Sequence, residues 1–293
     1  MSQAKRKSLA ERFRRDELIV SPGVFDLISA KIADRMGFDA IYMTGYGVVA
    51  SYLGLPDAGI ATYSDMVNRV TQIAKMTNTP LIADADTGYG GLLNVQHTVR
   101  GYEQAGACGI QIEDQEFPKK CGHMLGRRVI AVEDMVAKIK VAVDSRDDKN
   151  MLIIARTDSR TTLGLDEALR RAEAYLRAGA DVLFVESPES VDEMQRIGRT
   201  FRGTPLVANM VEGGRTPILD AKALQEIGYR LAIFPGLGFL SMGAALERAF
   251  TELKATGSSK NLSVPLYDFK AFGALMGFDG IAEFDRRYRG IQD

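Results

Sequence analysis

Short apolar runs rich in β-branched residues alternate along this chain with longer stretches whose apolar residues recur at helical spacing. Eight such runs predict strands at Leu18–Val20, Ala40–Met43, Leu81–Ala83, Gly109–Ile112, Leu152–Ala155, Val182–Val185, Leu206–Ala208 and Leu231–Phe234. The stretches between them predict helices at Asp26–Met36, Tyr63–Met76, Leu93–Ala105, Ala131–Asp144, Gly164–Ala178, Ser190–Thr200 and Ile218–Ile227. Local signals agree with these boundaries. Ser190 stands three residues before Glu193, the spacing of a capping box, and Gly37, Gly106, Gly179 and Gly228 fall where helices should stop.

Four helix-to-strand turns read almost alike: Met-Gly-Phe-Asp-Ala, Ala-Gly-Ala-Cys-Gly, Ala-Gly-Ala-Asp-Val and Ile-Gly-Tyr-Arg-Leu. Such reuse points to one repeated strand-helix unit. Eight consecutive units with right-handed crossovers close naturally into a (β/α)8 barrel, which leaves no exposed sheet edge. No Pro/Gly/Ser-rich linker divides the chain, so residues 1–250 are expected to form the barrel and residues 251–293 an appended helical tail.

Composition narrows the classes of partner. Hydrophobic residues make up 46% and charged residues 26% of 293 residues, the balance of a globular protein with a large core. With 37 basic against 38 acidic side chains the net charge is -1, and no global field gathers nucleic acid or anionic membrane. No run of about 18 apolar residues suggests a membrane span. The charge balance favours a small molecule as partner, and two cysteines, Cys108 and Cys121, too few for a disulfide framework, make the cytoplasm the expected compartment.

In such a barrel chemistry sits at the carboxyl ends of the strands, and there the polar residues gather. Asp84 and Asp86, Glu113 and Asp114, Arg156 to Asp158, Glu186, and Asn209 each follow an apolar run directly. Asp84 and Asp86 lie two apart, so on a continuing strand both carboxylates would share one face. Like charges so placed must be protonated, hydrogen-bonded or bridged by a cation, and oxygen donors suit Mg²⁺ or Mn²⁺. The expected ligands are Asp57, Asp84, Asp86 and Glu113, with Asp86 bound directly and the others acting largely through water. The plainer alternative is a capping aspartate beside a surface salt bridge.

The segment Phe117-Pro118-Lys119-Lys120-Cys121-Gly122-His123 sets a thiol beside two lysines and a histidine, whose positive potential favours the thiolate and suits Cys121 to proton donation or nucleophilic attack. Read alone, it is equally a solvated basic loop with an incidental cysteine. Cys108, at a helix-to-strand turn, reads as packing, and His97, within a helical run, has no metal-ligand spacing. The glycines at 88, 90, 91, 213, 214, 236 and 238 could serve a phosphate or a closing lid, but no Walker-type lysine accompanies them.

Taken together, Tyr42-Met43-Thr44-Gly45, Gly54-Leu55-Pro56-Asp57, Asp84-Ala85-Asp86-Thr87-Gly88-Tyr89-Gly90, Gln111-Ile112-Glu113-Asp114-Gln115, Lys119-Lys120-Cys121-Gly122-His123, Ala155-Arg156-Thr157-Asp158, Val185-Glu186 and Asn209-Met210-Val211-Glu212-Gly213-Gly214 resemble the isocitrate lyase and phosphoenolpyruvate mutase superfamily over nearly the whole chain. The resemblance implies a (β/α)8 barrel whose last helix is exchanged between neighbours, a homotetramer built as a dimer of dimers, and a Mg²⁺-bound oxyacid. The Lys-Lys-Cys-Gly-His loop is similar to that of the carbon–carbon lyases and unlike that of the phosphonate-forming mutases. Isocitrate and methylisocitrate lyases carry a hydroxyl near the position of Val211, where it meets a third carboxylate; leaving such a group unpaired would cost on the order of several kcal/mol. The related hydrolases carry a serine after strand eight, where this chain has Pro235.

The implied activity is cleavage of a 2-hydroxy-dicarboxylate, a 2-alkylmalate such as 2,3-dimethylmalate, into an α-keto acid and a short carboxylic acid. The alternatives are 2-methylisocitrate cleavage, then oxaloacetate hydrolysis, and in a different class an oxyacid- or phosphate-binding barrel without catalysis. In the lyase reading Arg156 and the backbone of Thr44, Gly45 and Tyr46 hold one carboxylate, and Lys119, Gly122, His123, Glu186 and Asn209 surround the departing enediolate. Cys121 protonates its carbon, and Tyr42 or a metal-bound hydroxide is the base.

Overall fold

The computed structural model of the chain describes residues 2–122 and 124–289. Its strands are β1 (Ile19–Val24), β2 (Ile41–Met43), β3 (Leu81–Asp84), β4 (Gly109–Glu113), β5 (Leu152–Thr157), β6 (Val182–Val185), β7 (Val207–Asn209) and β8 (Leu231–Phe234). All pairings are parallel, in the order β6-β5-β4-β3-β2-β1-β8-β7. A parallel bridge from Leu183 to Leu206 joins the two ends of that order, and the Leu183 amide donates to the Pro205 carbonyl at 3.0 Å. The chain is therefore a (β/α)8 barrel, as the strand count and spacing predict.

Side chains alternate across each strand, and the alternation separates two cores. Tyr42, Ile82, Leu152, Ile154, Val182, Phe184, Val207, Leu231 and Ile233 pack together inside the barrel. Their chain neighbours Ile41, Met43, Leu81, Ala83, Ile153, Ala155, Leu183, Ala208 and Ala232 pack outward against the helices. Followed two residues at a time past the last apolar position, the inward set arrives at Asp84, Arg156, Glu186 and Asn209. Alternation along the strands thus delivers these polar side chains to one mouth.

The seven expected helices are α2 (Leu27–Met36), α4 (Tyr63–Met76), α5 (Leu92–Ala105), α6 (Val132–Ser145), α8 (Leu165–Arg177), α9 (Val191–Thr200) and α10 (Ala221–Ile227). Gly37, Gly106, Gly179 and Gly228 adopt φ of 76°, 106°, 106° and 114°, the left-handed conformation that ends a helix without a Cβ clash. At Ser190 only half of the capping box forms. The hydroxyl accepts from the Glu193 amide, but the Glu193 carboxylate turns to the Glu189 amide and to Arg160. Helix α10 starts later than its periodicity predicts because the Asp220 side chain caps it, accepting from the Ala223 amide at 2.8 Å.

Other helices were not anticipated. Helix α1 (Ser2–Phe13) buries Arg6, Leu9, Ala10 and Phe13, and the last three join the inner barrel core. The 6, 9, 10, 13 spacing is a helical face, but Arg6 occupies one of its positions and hides the pattern. Its Nε donates to the Ala107 carbonyl at 2.9 Å, with Glu103 and Asp148 carboxylates 3.8 and 3.6 Å from Nη1. After β2 comes α3 (Gly45–Val48), which continues into a π-helical stretch, Val49–Leu53, and α7 (Arg160–Leu163) is a single turn after β5.

Helix α11 (Leu237–Thr256) begins before the expected tail of residues 251–293, which holds its end together with α12 (Phe269–Met276) and α13 (Phe278–Arg289). The chain forms two compact units that divide between Phe239 and Leu240, within α11. In the second unit Tyr267 and Phe272 meet edge to face, and large apolar side chains lie bare, among them Phe250, Phe269, Phe278 and Phe284. Among the described residues no helix is long and apolar enough to cross a membrane.

If α1 plugs the barrel floor, truncating its most buried side chain should leave a cavity that the closed barrel cannot collapse. Leu9→Ala is expected to lower the unfolding free energy by about 2–5 kcal/mol in urea titrations, with an unchanged slope.

Candidate active site

Asp84 closes β3 and is register partner to Gln111 of β4. Its Oδ1 accepts from Gln111 Nε2 at 3.3 Å, and Gln111 Oε1 accepts from the buried Tyr42 hydroxyl at 3.0 Å. Burial, reinforced by Asp84, drives the Tyr42 pKa well above its ordinary value, so the phenol keeps its proton and donates it to Gln111. Gln111 was missed at the sequence level; its inward register between Gly109 and Glu113 was the available signal.

The expectation that Asp84 and Asp86 share a strand face is corrected by the backbone. The strand ends at Asp84, and Asp86 lies in the left-handed region at φ 48°. The two carboxylates converge through a turn, in which the Asp86 amide donates to Asp84 Oδ1 at 3.0 Å and the Asp86 carbonyl accepts from the Glu113 amide at 2.9 Å.

The Lys119 ammonium is seated against two of the expected ligands, 2.5 Å from Asp57 Oδ1 and 2.6 Å from Asp86 Oδ1. It is 4% exposed, and the carboxylates around it raise its pKa against the opposing effect of burial. Burial pushes Asp86 up to about 6, with Lys119 pulling down and Asp84 and Asp57 pushing further up. Among the described residues no three His, Cys, Asp or Glu side chains already stand as a metal-binding cluster.

Glu113 and Arg156 are register partners on β4 and β5. Arg156 lies over the Phe184 ring and spends Nε and Nη2 on Asp158, both at 2.8 Å, with Glu113 Oε2 at 3.4 Å and Glu186 Oε2 at 3.3 Å. Among the described residues no ion pair or hydrogen bond engages its Nη1. Asp158 also pairs with buried Arg127. Burial alone would raise its pKa, but Arg156 and Arg127 outweigh it and hold Asp158 below the usual carboxylate value of 3.8. Just past β6, Glu186 Oε2 accepts from Asn209 Nδ2 at 3.0 Å, joining the ends of β6 and β7.

Asp114 has the opposite facing to Glu113 and leaves the mouth. Its carboxylate accepts from Thr157 Oγ1, Tyr175 Oη and the Asp158 amide at 2.7, 2.7 and 2.8 Å, with Arg171 at 3.2 Å, a buried network that ties β4 and β5 to α8.

The cysteine loop lies across this mouth. The Cys121 amide donates to the Asp57 carbonyl at 3.2 Å, and the Gln115 side chain clasps Lys120 by donating to its carbonyl at 2.8 Å and accepting from its amide at 3.0 Å. Gly122 rests on the charge pair: a Cβ there would meet Arg156 Nη2 at 2.2 Å and Glu186 Oε2 at 2.9 Å. His123 lies outside the described residues. Gly45 likewise has no room for a side chain, since a Cβ would meet Asp84 Oδ2 at 2.7 Å. Thr44 heads α3 and its amide is taken by the Val24 carbonyl at 3.1 Å, so the helix-heading amides are those of Gly45 and Tyr46. The Tyr46 ring packs on Phe239 at 5.0 Å.

Cys108 is buried in the inner core, where burial raises its thiol pKa, and His97 is exposed with its ring 4.4 Å from that of Tyr63. Neither belongs to the mouth. Gly88, at φ 83°, abuts Val95, and Gly23 abuts the Pro235 backbone, so at these two glycines close packing excludes a side chain.

Parallel strands that end in inward carboxylates, beneath a loop carrying a thiol, define the site of a barrel enzyme for a small polar molecule. Residues 9–254 match the phosphoenolpyruvate phosphomutase family. The 2,3-dimethylmalate lyase of Eubacterium barkeri is 48% identical over 93% of this chain and 94% of its own length, and the 2-methylisocitrate lyase of Aeropyrum pernix is 41% identical over 92% and 86%. The solved structure of oxaloacetate acetylhydrolase with the inhibitor 3,3-difluorooxalacetate superposes with a TM-score of 0.93 at 33% identity, covering 99% of both chains. The chain belongs to the phosphoenolpyruvate mutase/isocitrate lyase superfamily.

Asp158 neutralises two buried arginines, so Asp158→Asn is expected to cost about 3–5 kcal/mol at pH 7. Because its folded pKa is depressed, this contribution is complete above the unfolded value and is lost as pH falls through the folded one. The stability gap between wild type and variant should be equal at pH 7 and pH 5 and narrow only below 3.8, read by urea denaturation.

Proposed function

We propose that this protein is a Mg²⁺-dependent carbon–carbon lyase that cleaves a 2-alkylmalate, with 2,3-dimethylmalate giving pyruvate and propionate. The observation that carries the reading is the arrangement across the barrel mouth. A carboxylate cluster lies on one side, the Arg156–Glu186–Asn209 set on the other, and the Cys121 loop spans them by way of Asp57 and Gly122.

The donor set fits a hard divalent cation. Asp57, Asp84, Asp86, Glu113, Asp158 and Glu186 bring six carboxylates to the mouth, against the three cations Lys119, Arg127 and Arg156 among the described residues. Glu113 Oε1 is buried with no hydrogen-bond partner, and burial drives its pKa well above the ordinary value. Oxygen donors with surplus negative charge suit Mg²⁺, with Mn²⁺ as a substitute. Asp57, Asp84, Asp86 and Glu113 would hold the ion, which would supply Lewis-acid stabilisation of negative charge on the 2-oxygen and its neighbouring carboxylate.

The chain's own groups divide the remaining work. The Gly45 and Tyr46 amides and Arg156 Nη1 hold the carboxylate of the half that becomes the α-keto acid. Tyr42, locked as a donor to Gln111, fixes the side chain of Gln111 against Asp84. As the C2–C3 bond breaks, its electron pair moves onto the second carboxylate as an enediolate. Asn209, oriented by Glu186, and Lys119 stabilise that charge, and His123 is assigned here to the same task. A carboxylate on the acidic side of the mouth takes the proton of the 2-hydroxyl, the Cys121 thiol delivers its proton to C3, and the thiolate so formed is reprotonated before the next turnover, so that no proton is gained or lost overall. Loop closure keeps bulk water from that carbon.

Val211 offers no hydrogen bond for a third carboxylate, which favours an alkylmalate over methylisocitrate. The close superposition on oxaloacetate acetylhydrolase supports oxaloacetate hydrolysis as the second reading, and Pro235, which has no hydroxyl, weighs against it. The same reading places the enzyme in the cytoplasm, on the scarcity of cysteine. It also assigns a homotetramer with an exchanged terminal helix, supported by the bare phenylalanines of α11–α13.

Incubation with 2,3-dimethylmalate, 2-methylisocitrate, oxaloacetate and phosphonopyruvate should yield pyruvate and propionate from the first at the highest kcat/KM. Turnover confined to oxaloacetate would reverse the assignment. Cys121→Ser should lower kcat by about 10²–10⁴-fold while oxalate still binds. Removal of divalent metal by a chelator should abolish turnover and Mg²⁺ or Mn²⁺ restore it; full activity without metal would refute the carboxylate site.

A further inference from the structure

Ser187 follows Glu186 at the end of β6 and adopts φ 59°, a left-handed conformation that a residue with a Cβ rarely takes. It is fully buried. Its amide donates to Glu186 Oε1 at 2.7 Å, and its hydroxyl faces two acceptors, the Gly122 carbonyl at 2.9 Å and Glu186 Oε1 at 3.1 Å. One hydroxyl carries one proton, so it serves one of these acceptors at a time.

We propose that Ser187 is a positioning residue that latches the Cys121 loop shut by turning its hydroxyl hydrogen bond from Glu186 to the Gly122 carbonyl when the loop closes. The strained backbone is what makes this possible: the left-handed turn lifts the Oγ over the Glu186 carboxylate and toward the loop. Gly122 is buried against Arg156 and Glu186, and a buried carbonyl stripped of its donor disfavours the closed state. With the loop away, the hydroxyl falls back to Glu186 Oε1, so the open state leaves neither group unsatisfied. The far side of the loop is anchored differently, by Lys119 on Asp57 and Asp86 and by the Cys121 amide on the Asp57 carbonyl. Ser187 therefore governs the edge of the loop next to Cys121.

The inference rests on the loop reading of the proposed function, yet it is tested on the resting enzyme without turnover. Ser187→Gly removes the hydroxyl and also relieves the left-handed strain, whereas Ser187→Ala removes the hydroxyl and keeps the strain. Iodoacetamide labelling of Cys121, located by peptide mass spectrometry, and tryptic cutting after Lys119 and Lys120 should both be faster in the two variants. The expected increase is roughly tenfold, the effect of one lost hydrogen bond on the closed population. Ser187→Gly should meanwhile unfold at the wild-type temperature or above, which separates loop opening from general loosening. With dimethylmalate as substrate the two variants should lose kcat more than they change KM. Wild-type rates of labelling and cutting in a folded Ser187→Gly would overturn the latch. Faster labelling in a protein that cleaves none of the candidate substrates would leave the latch standing and remove the lyase assignment.

Discussion

Six carboxylates crowd one end of a closed barrel, and the site depends on how their charge is offset in a place that water scarcely reaches. Moving a carboxylate from water into such surroundings costs several kcal/mol unless a cation and hydrogen bonds replace the lost solvation. Arg156 and Arg127 neutralise Asp158 so well that it stays ionised below the ordinary carboxylate range, whereas Glu113 and Asp86 are driven upward by burial. The two sides of the mouth are thus electrically distinct. One is a settled arginine-carboxylate lattice, and the other holds carboxylates that burial drives toward their neutral form and that Lys119 only partly offsets.

Lys119 links that charge distribution to the conformation of the chain. It belongs to the same loop as Cys121 and Gly122, and its ammonium lies between Asp57 and Asp86. The loop is therefore drawn down on the acidic side by a charge and on the opposite side by the fit of a glycine against Arg156 and Glu186. A side chain at position 122 would prevent the approach, and a shorter or neutral residue at position 119 would leave two carboxylates without their cation. The position of the loop and the order of the charged groups beneath it are thus coupled.

Relatives that cleave carbon–carbon bonds and a structure that carries out acetyl hydrolysis share this barrel closely. A shared barrel does not fix the chemistry, which resides in the side chains at the mouth. In the proposed function, Val211 and Pro235, both apolar and both just beyond a strand, are the positions that offer a substrate no side-chain hydrogen bond. What a site declines to satisfy can discriminate between substrates as strongly as what it binds.

Much of this was legible along the chain because strand periodicity is a local property. The eight apolar runs, the left-handed glycines at four helix ends and the polar residue after each of five runs follow from alternation and steric rules that need no knowledge of distant neighbours. The same rules hid other features. Gln111 looked like strand filler, Asp114 looked like a partner of Glu113 although one faces the helices and the other the mouth, and Arg6 concealed the buried face of α1. Above all, Asp86 meets Asp84 through a left-handed turn and shares Lys119 with Asp57, from segments 29 residues before and 33 after it. Sequence alone determined which residues stand at the strand ends. Only the closed barrel decided which of them pair, because charges in a buried mouth are matched through space, and barrel closure sets that space.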